Sequence, residues 1–382
     1  MSQRLKTDWV LFFTVLAMVS FGLLIVYSAS SVMAQMDQRF GSSWHFVARQ
    51  AEWAVVSVFI MMMLKKTSYR KLDNAAVAFT AVGLAVVLLV AVLFADPAHH
   101  RWLRLGGPFG VQPSELAKPA LIVFLAFFVA WRGRAINNGR YTLLPAALAV
   151  GFVILLVVVA DLGTAVVLGF TAAVIFFVAG LEWRSVLIVA GLAAVGVIIF
   201  VFAQPYRLAR VVHFADPQFK ILARFDRKGT IRARMEKSLA TRDPNYQLEQ
   251  AKLGMGSGGL QGLGLTNGTQ KLFLPEAQTD FIYAVAGEEM GLIGSAGILI
   301  GFALIFWRGM RAAWLMKDEF GRYLALGVTI VIVVQGFMNM SVVLGLMPTK
   351  GIPLPMISYG GSSLLCTLVL LGILMNVAEH AG

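Results

Sequence analysis

Six ionisable side chains stand in or beside apolar segments long enough to cross a lipid bilayer. They are Glu115, Lys118, Asp161, Asp280, Glu288 and Glu289. Charges at such positions are costly and are functional hypotheses by default. The sequence therefore predicts acid–base or ion-binding chemistry at the edge of a membrane-embedded helical structure.

Asp280 is the strongest candidate for catalysis. It is the last acid of LPEAQTD before a long apolar segment begins, and a strongly basic stretch precedes it. A partly dehydrated carboxylate beside a helix start can act as a general base or as a metal ligand. The structural alternative is a helix N-cap formed together with Thr279.

The other acids have structural alternatives as well. Glu115 and Lys118 are three residues apart, so on a helix they share a face and can form an ion pair that only orients the helix. Asp161 opens DLGTA, where an N-cap is the alternative. We expect one of Glu288 and Glu289 to pack against Ser, Thr or Arg side chains of neighbouring helices.

Two irregular segments accompany these side chains. Residues 254–270 hold seven glycines, and their N–H groups could form either a nest for a lipid phosphate or a flexible turn. A nucleotide site is disfavoured because no strand precedes the glycines. Residues 345–363 hold three prolines, which predicts a rigid loop buried in protein or lining a cavity into which Lys350 projects.

The composition indicates that lipid solvates most of the chain. Of 382 residues, 58% are hydrophobic and only 14% are charged, against about 25% charged in soluble domains. The single cysteine, Cys366, excludes a disulfide framework and a thiolate metal site. The formal charge of +12 favours a membrane surface or an anionic lipid as partner over nucleic acid.

The hydropathy pattern predicts an all-α integral membrane protein with ten transmembrane helices, since about 20 apolar residues span a bilayer. The predicted spans are residues 9–31, 46–64, 74–95, 114–131, 143–160, 162–181, 185–203, 279–307, 321–345 and 356–377. We interpret the first span as a helix that stays in the membrane rather than a cleaved signal peptide. Residues 1–382 are predicted to form a single polytopic membrane domain.

The basic residues orient this topology. With both termini in the cytoplasm, the inner segments hold 14 of the 32 Lys and Arg residues, as the positive-inside rule requires. Residues 204–278 then form one long extracytoplasmic loop before the eighth helix, with 12 basic and 6 acidic residues. Within it, residues 218–239 could lie in the headgroup plane as an amphipathic segment or form a solvated basic loop.

Six motifs, in this order along the chain, resemble the SEDS family of bacterial cell-wall polymerases, which includes FtsW, RodA and SpoVE. They are YSASS (27–31), RWLRLGGPFGVQPSELAK (101–118), DLGTA (161–165), YQLEQAKLGMGSGGLQGLGL (246–265), LPEAQTDFIYAVAGEEMGLIG (274–294) and PTKGIPLPMISYGGSS (348–363). The motifs are distributed along nearly the whole chain. The PTKG and AGEEMGLIG segments are more similar to the division subgroup, FtsW, than to the elongation subgroup, RodA.

The resemblance implies an inverting peptidoglycan glycosyltransferase. Such an enzyme polymerises lipid II on the outer face of the bacterial cytoplasmic membrane and releases undecaprenyl diphosphate. The implied partners are a class B penicillin-binding protein, which is a transpeptidase, and other divisome or elongasome membrane proteins. The alternatives are an elongation polymerase, a lipid II flippase or a non-catalytic scaffold.

The resemblance also assigns roles to residues. It places the essential acid at Asp280 and substrate-binding positions at Arg101, Trp102, Glu115, Lys118, Lys350 and Ser358. Asp161 and Arg210 are further candidate substrate-binding residues. In this scheme Asp280 removes a proton from the acceptor hydroxyl, while the cations Lys118, Arg101, Arg210 and Lys350 stabilise the departing diphosphate. A divalent cation, Mg²⁺ or Mn²⁺, could assist, with Asp280 as a possible ligand, and no organic cofactor is expected.

Overall fold

The computed structural model describes residues 7–36, 42–96, 100–104, 110–202, 205–216 and 244–381. Apart from short 3₁₀ and π turns, the described residues form twelve α-helices and one antiparallel pair of two-residue strands, β1 (Leu103–Arg104) and β2 (Gly110–Val111). The predicted segment 218–239 lies outside the described residues.

The helices follow the apolar segments closely. Their bounds are α1 Trp9–Met36, α2 His45–Lys66, α3 Ala75–Ala95, α4 Pro113–Arg132, α5 Leu144–Ala160, α6 Leu162–Val178, α7 Trp183–Phe202, α8 Pro205–Ala215, α9 Pro244–Ser257, α10 Ile282–Leu315, α11 Glu319–Val343 and α12 Gly361–His380. Backbone polar groups in a lipid environment must be satisfied within the segment, so an apolar chain forms helices there. Each predicted span coincides with one helix.

Nine helical segments of the described chain are long and apolar enough to cross a membrane, and α6 is a shorter apolar helix of 17 residues. The predicted long loop of residues 204–278 is partly helical, because α8 and α9 lie within it. The hydropathy pattern missed these helices since neither is long and apolar enough to span lipid.

Side-chain caps mark several helix starts. Asn74 accepts a hydrogen bond from the Ala76 amide at 2.8 Å before α3, and Asp318 accepts one from the Gly321 amide at 2.9 Å before α11. Such caps satisfy amide groups that have no partner within the helix. The caps stabilise the helix starts, so the loops that lead into these helices end at defined positions.

Helix α10 is broken at Gly291, where φ is +64° and ψ is −157°. Before the break, the carbonyls of Glu288 and Glu289 accept hydrogen bonds from the amides of residues 263 and 264, each at 3.0 Å. After the break, the amides of residues 292 and 293 donate to the carbonyls of Gly259 and Leu260, at 2.9 and 3.3 Å. The glycine-rich segment thus replaces the hydrogen bonds that the helix loses.

This packing explains the glycines better than either sequence interpretation. A methyl group at Gly258 would overlap the Gly287 carbonyl, and one at Gly262 would overlap the Glu289 carbonyl. The amides of residues 263 and 264 are engaged with α10, so they are not available to a phosphate nest. The segment is a packed backbone insertion rather than a nest or a flexible turn.

Candidate active site

The segment that ends in Asp280 and the loop of residues 348–360, which we term the proline loop, lie against each other. The hydroxyl of Ser358 donates to the Thr279 carbonyl at 2.5 Å, and the Tyr359 amide donates to the Gln278 carbonyl at 2.9 Å. Much of the proline loop is buried. As predicted, the loop is irregular and enclosed by protein.

Polar side chains of two helices fix the proline loop. Asn339 of α11 donates to the Asp280 carbonyl and to the Ile352 carbonyl, both at 2.7 Å. Gln50 of α2 donates to the Ser358 carbonyl and accepts from the Gly360 amide, both at 3.1 Å. These bonds hold the backbone of Asp280 in register with the proline loop.

The Asp280 carboxylate lies against the backbone of Gly351. A Cβ atom built on Gly351 would stand 2.5 Å from Oδ2 and 3.2 Å from Cγ of Asp280. The residue before α10 is Phe281, and no side chain caps this helix start. Asp280 is therefore not the N-cap that the sequence allowed as an alternative.

The surroundings of Asp280 favour its protonated form. The pKa of Asp280 is raised to about 6, chiefly by burial; the charges of Glu276 and Asp161 also raise it, and those of Arg101 and Arg210 lower it. An acid with such a pKa can hold or release a proton near neutral pH, as a general base must.

Two cations from separate segments, Arg101 and Arg210, act on Asp280, and a third cation, Lys350, precedes Gly351 in the chain. Arg101 precedes β1, Arg210 lies on α8 and donates to the Thr349 carbonyl at 3.2 Å, and Lys350 is in the proline loop. The pKa of Lys350 is lowered to about 7, chiefly by burial; Arg207 and Arg210 also lower it, and Asp161 raises it. Asp280 and Lys350 thus share Asp161 and Arg210 as electrostatic neighbours.

Asp161 has the structural role that the sequence allowed as an alternative. Its carboxylate accepts the amides of Gly163 at 2.8 Å and Thr164 at 3.3 Å, and the Thr164 hydroxyl at 2.7 Å, at the start of α6. It also acts electrostatically on Asp280 and Lys350. The cap therefore places a fixed negative charge near Asp280 and Lys350. We term Asp280, Arg101, Asp161, Arg210 and Lys350 the Asp280 cluster.

Trp102 is 37% exposed next to Arg101, and its ring covers the Cα side of Gly110 in β2. The amides of both Arg101 and Trp102 face the Asp96 carboxylate, at 3.3 and 3.4 Å. The Nε of Arg101 is buried and has no hydrogen-bond partner among the described residues. This donor is a candidate contact for an anionic ligand.

Glu115 and Lys118 form the predicted ion pair, away from the groups that act on Asp280. Both carboxylate oxygens of Glu115 lie 2.8 Å from Lys118 Nζ, and both side chains are buried. Lys118 also donates to Gln335 Oε1 at 2.6 Å, and Gln335 Nε2 donates to the Pro353 carbonyl at 2.9 Å. The pair is thus linked to the proline loop through one amide side chain.

Sequence reasoning missed several residues of this site and its surroundings, namely Arg207, Glu276, Gln335, Asn339 and Lys271. Gln335 and Asn339 are four residues apart in an apolar helix, and this spacing on one helix face could have identified them. Glu276 and Arg207 are charged residues of a long loop, where sequence offers no comparable signal.

A metal site is not preformed in the described part of the chain, where no group of three His, Cys, Asp or Glu side chains is placed to hold an ion. The predicted Mg²⁺ or Mn²⁺ would need further ligands beside Asp280. Its participation stays a prediction.

We expect Gly351→Ala to reduce activity strongly without unfolding the protein. The new methyl group meets only the end of a side chain, so the cost in stability is within about 1 kcal/mol. The Asp280 carboxylate must move, however, and a displacement of about 1 Å at a reacting group can cost about 100-fold in rate. Turnover should fall while the unfolding temperature stays close to that of the wild type.

Gly297→Ala is the matched control, because a methyl group there meets nothing within 4 Å. It should leave turnover unchanged. Equal turnover in Gly351→Ala and Gly297→Ala would contradict the placement of the Asp280 carboxylate.

Comparison with known proteins finds similarity along the whole chain. The profile of the FtsW/RodA/SpoVE family, described as "Cell cycle protein", matches residues 8–382. A relative from Geobacter sulfurreducens, named Probable peptidoglycan glycosyltransferase FtsW, is 37% identical over 381 residues and covers 98% of this chain and 96% of its own. Stage V sporulation protein E of Bacillus subtilis is 34% identical and covers 100% of this chain and 99% of its own.

Solved structures agree with the sequence relatives. A chain of a peptidoglycan synthase complex that coordinates polymerization and crosslinking has a TM-score of 0.73 and 27% identity, covering 98% of both chains. The crystal structure of Thermus thermophilus RodA has a TM-score of 0.65 at 27% identity, also covering 98% of both chains.

Proposed function

Because this chain belongs to the FtsW/RodA/SpoVE family of cell cycle proteins, we propose that it is a peptidoglycan glycosyltransferase that polymerises lipid II. The observation that carries the proposal is the Asp280 carboxylate, held against Gly351 with a pKa raised to about 6 and with cations beside it. Relatives named as FtsW glycosyltransferases, 34–37% identical over nearly the full chain, support the activity.

The topology we propose has ten transmembrane helices, both termini in the cytoplasm and the Asp280 cluster on the outer face of the bacterial cytoplasmic membrane. Contacts between chain ends support it. The Thr7 hydroxyl donates to Glu379 at 2.9 Å, and Lys65 lies 3.3 Å from the same carboxylate. The N-terminus, the end of α2 and the end of α12 therefore meet on one side, which is rich in basic residues.

The reaction we propose is a direct displacement with inversion. Asp280 takes the proton of the 4-hydroxyl of a terminal GlcNAc, and that oxygen forms a bond to the anomeric carbon of the second lipid-linked sugar. The bond from this carbon to the diphosphate breaks, and undecaprenyl diphosphate leaves with the electron pair. Arg101, Arg210 and Lys350 stabilise its negative charge.

The pH dependence of kcat/KM is expected to be bell-shaped. The active form has Asp280 deprotonated and Lys350 protonated, so activity rises with pH through about 6 and falls above about 7. Arg101→Gln removes a charge that lowers the pKa of Asp280, so the acid limb moves to higher pH. Glu276→Gln removes a charge that raises it, so the acid limb moves to lower pH.

Initial rates of lipid II polymerisation across the range from acidic to basic pH measure this profile. Shifts of the same sign in the two variants would contradict the assignment of the acid limb to Asp280.

Division is the cellular role we propose, with an elongation polymerase as the alternative. The relatives at 34–37% identity are named FtsW or stage V sporulation protein E, whereas the RodA structure is 27% identical. A class B penicillin-binding protein is the proposed partner, and the similarity to a chain of a peptidoglycan synthase complex supports it. Co-purification that identifies the transpeptidase tests both points.

A lipid II flippase is the second candidate, because Glu115, Lys118 and Glu288 are ionisable groups within apolar helices. A scaffold that only recruits the transpeptidase is the third. The chain reconstituted in vesicles with fluorescent lipid II separates all three. Our proposal predicts glycan chains without faster exchange of lipid II between leaflets, while flipping without chain growth would favour the transporter.

A further inference from the structure

A second buried cluster, away from the Asp280 cluster, joins the glycine-rich segment to two helices. It consists of Ser28 on α1, Lys271, and Glu288 and Glu289 on α10, and we term it the Lys271 anchor. Lys271 Nζ and the Ser28 hydroxyl each contact Glu289 Oε1 at 2.6 Å, which confirms the predicted packing of one of these glutamates against a serine. The side chains of Lys271 and Glu289 are 2% and 0% exposed.

The anchor also binds backbone groups of the segment that leads to the site. Lys271 donates to the Thr266 carbonyl at 3.0 Å, and the Thr266 amide donates to Ser28 at 3.2 Å. Glu288 Oε1 accepts the amides of Thr269 at 2.7 Å and Gln270 at 2.9 Å. Both neighbouring glutamates thus fix residues 266–271.

The position of the anchor couples it to Asp280 from both sides. Residues 271–280 are tied at one end by Lys271 and at the other by α10, which begins at Ile282 and carries both glutamates. Leu274, Ala277 and Gln278 within this segment are buried. A shift of α10 against Lys271 would therefore move the backbone that holds Asp280.

A charge pair buried this completely gains little stability over an apolar pair of similar volume, but it can specify one arrangement of the chain. Glu289 Oε1 has two partners, Lys271 and Ser28, while Oε2 has none among the described residues. Removing one partner leaves the other charge buried without compensation. In the Lys271 anchor, the Lys271 ammonium donates hydrogen bonds to the side-chain oxygens of Ser28 and Glu289 and to the Thr266 carbonyl.

We propose that the Lys271–Glu289 pair is a positioning device for the proposed glycosyl transfer: it fixes the segment of residues 271–280 between α1 and the broken helix α10 and so places the Asp280 carboxylate. Neither residue touches the substrate in this scheme. This inference rests on the proposed function.

The test compares Glu289→Gln, Lys271→Met and the double variant Lys271→Met/Glu289→Gln. Each single variant is expected to lower kcat for lipid II polymerisation about 10–100-fold with KM little changed, because the reacting group is misplaced while binding persists. The double variant restores an uncharged, well-packed pair and should recover most of kcat. If the fold loss of kcat in the double variant equals the product of the losses in the two single variants, the proposal is overturned.

Asp8→Asn is the matched control. It breaks an ion pair of similar length at the far end of α10, where Asp8 lies 2.7 Å from Arg308. Its kcat should equal that of the wild type. If Asp8→Asn and Glu289→Gln lower kcat equally, the effect is general destabilisation and the positioning role fails.

Hydrogen exchange of the full chain in nanodiscs gives a readout that does not depend on activity. The amides of residues 269–280 should exchange about tenfold faster in Glu289→Gln than in Asp8→Asn or the wild type, since local opening becomes easier. Unchanged exchange there would overturn the positioning role even if the chain proves not to be a polymerase. If the wild-type chain shows no polymerisation, that result contradicts the proposed function and not the positioning role.

Discussion

Asp280→Asn should abolish measurable growth of glycan chains, with a fall in kcat of about 10²–10⁴-fold, the usual contribution of a positioned general base. The amide has the shape of the carboxylic acid but cannot take the proton of the acceptor hydroxyl. Burial already favours the uncharged form of Asp280, so the variant should fold with an unfolding temperature at least equal to that of the wild type. Initial rates with purified lipid II measure the effect.

Glu276→Gln is the control for this prediction, because it keeps the shape of the side chain and an oxygen that can accept the Thr279 hydroxyl, and removes a negative charge that raises the pKa of Asp280. It should keep most of the activity at mildly basic pH. An Asp280→Asn protein with wild-type turnover would rule out the base role, and rescue of the variant by added Mg²⁺ or Mn²⁺ would favour metal ligation by Asp280.

Lys118→Met should cause the largest loss of stability, about 3–5 kcal/mol, because it leaves Glu115 buried without its partner. Glu115 is 1% exposed and receives two hydrogen bonds from Lys118. Gln335 also loses its bond from Lys118, which loosens the proline loop. Thermal unfolding in detergent measures the loss.

The double variant Glu115→Gln/Lys118→Met should recover most of this stability, since no buried charge remains. A Lys118→Met protein that unfolds at the wild-type temperature would show that Glu115 reaches water or takes up a proton at little cost.

The features that could be predicted from sequence are those set by local physics. Apolar length identified the nine long helical segments of the described chain and the shorter helix α6, and the spacing of three residues correctly paired Glu115 with Lys118. The position of Asp280 just before an apolar helix identified it as a candidate because a loop-to-helix boundary is wet on one side and dry on the other.

The features that could not be predicted depend on contacts between distant parts of the chain. Nothing in the local pattern places Gly351 against Asp280, or Asn339 between the carbonyls of Asp280 and Ile352. The break at Gly291 also escaped prediction, since its hydrogen bonds are supplied by the glycine-rich segment, which precedes α10 in the chain.

The structure separates charges that hold the fold from charges that take part in the proposed reaction. Charges that must stay fixed, such as the Glu115–Lys118 and Lys271–Glu289 pairs, are buried and paired. The groups that exchange protons or meet an anion in the proposed reaction, such as Asp280 and Arg101, lie where separate segments converge, and Arg101 keeps an unpaired donor among the described residues. Preorganised charge of this kind is what stabilises a departing diphosphate.

The central claim is that the Asp280 carboxylate of this chain catalyses glycosyl transfer. Its most direct test is polymerisation of purified lipid II by the purified wild-type chain and by Asp280→Asn, in the same vesicles and with no other enzyme present. The wild type should form glycan chains, and a folded Asp280→Asn protein should form none. Equal chain formation by both proteins would contradict the claim.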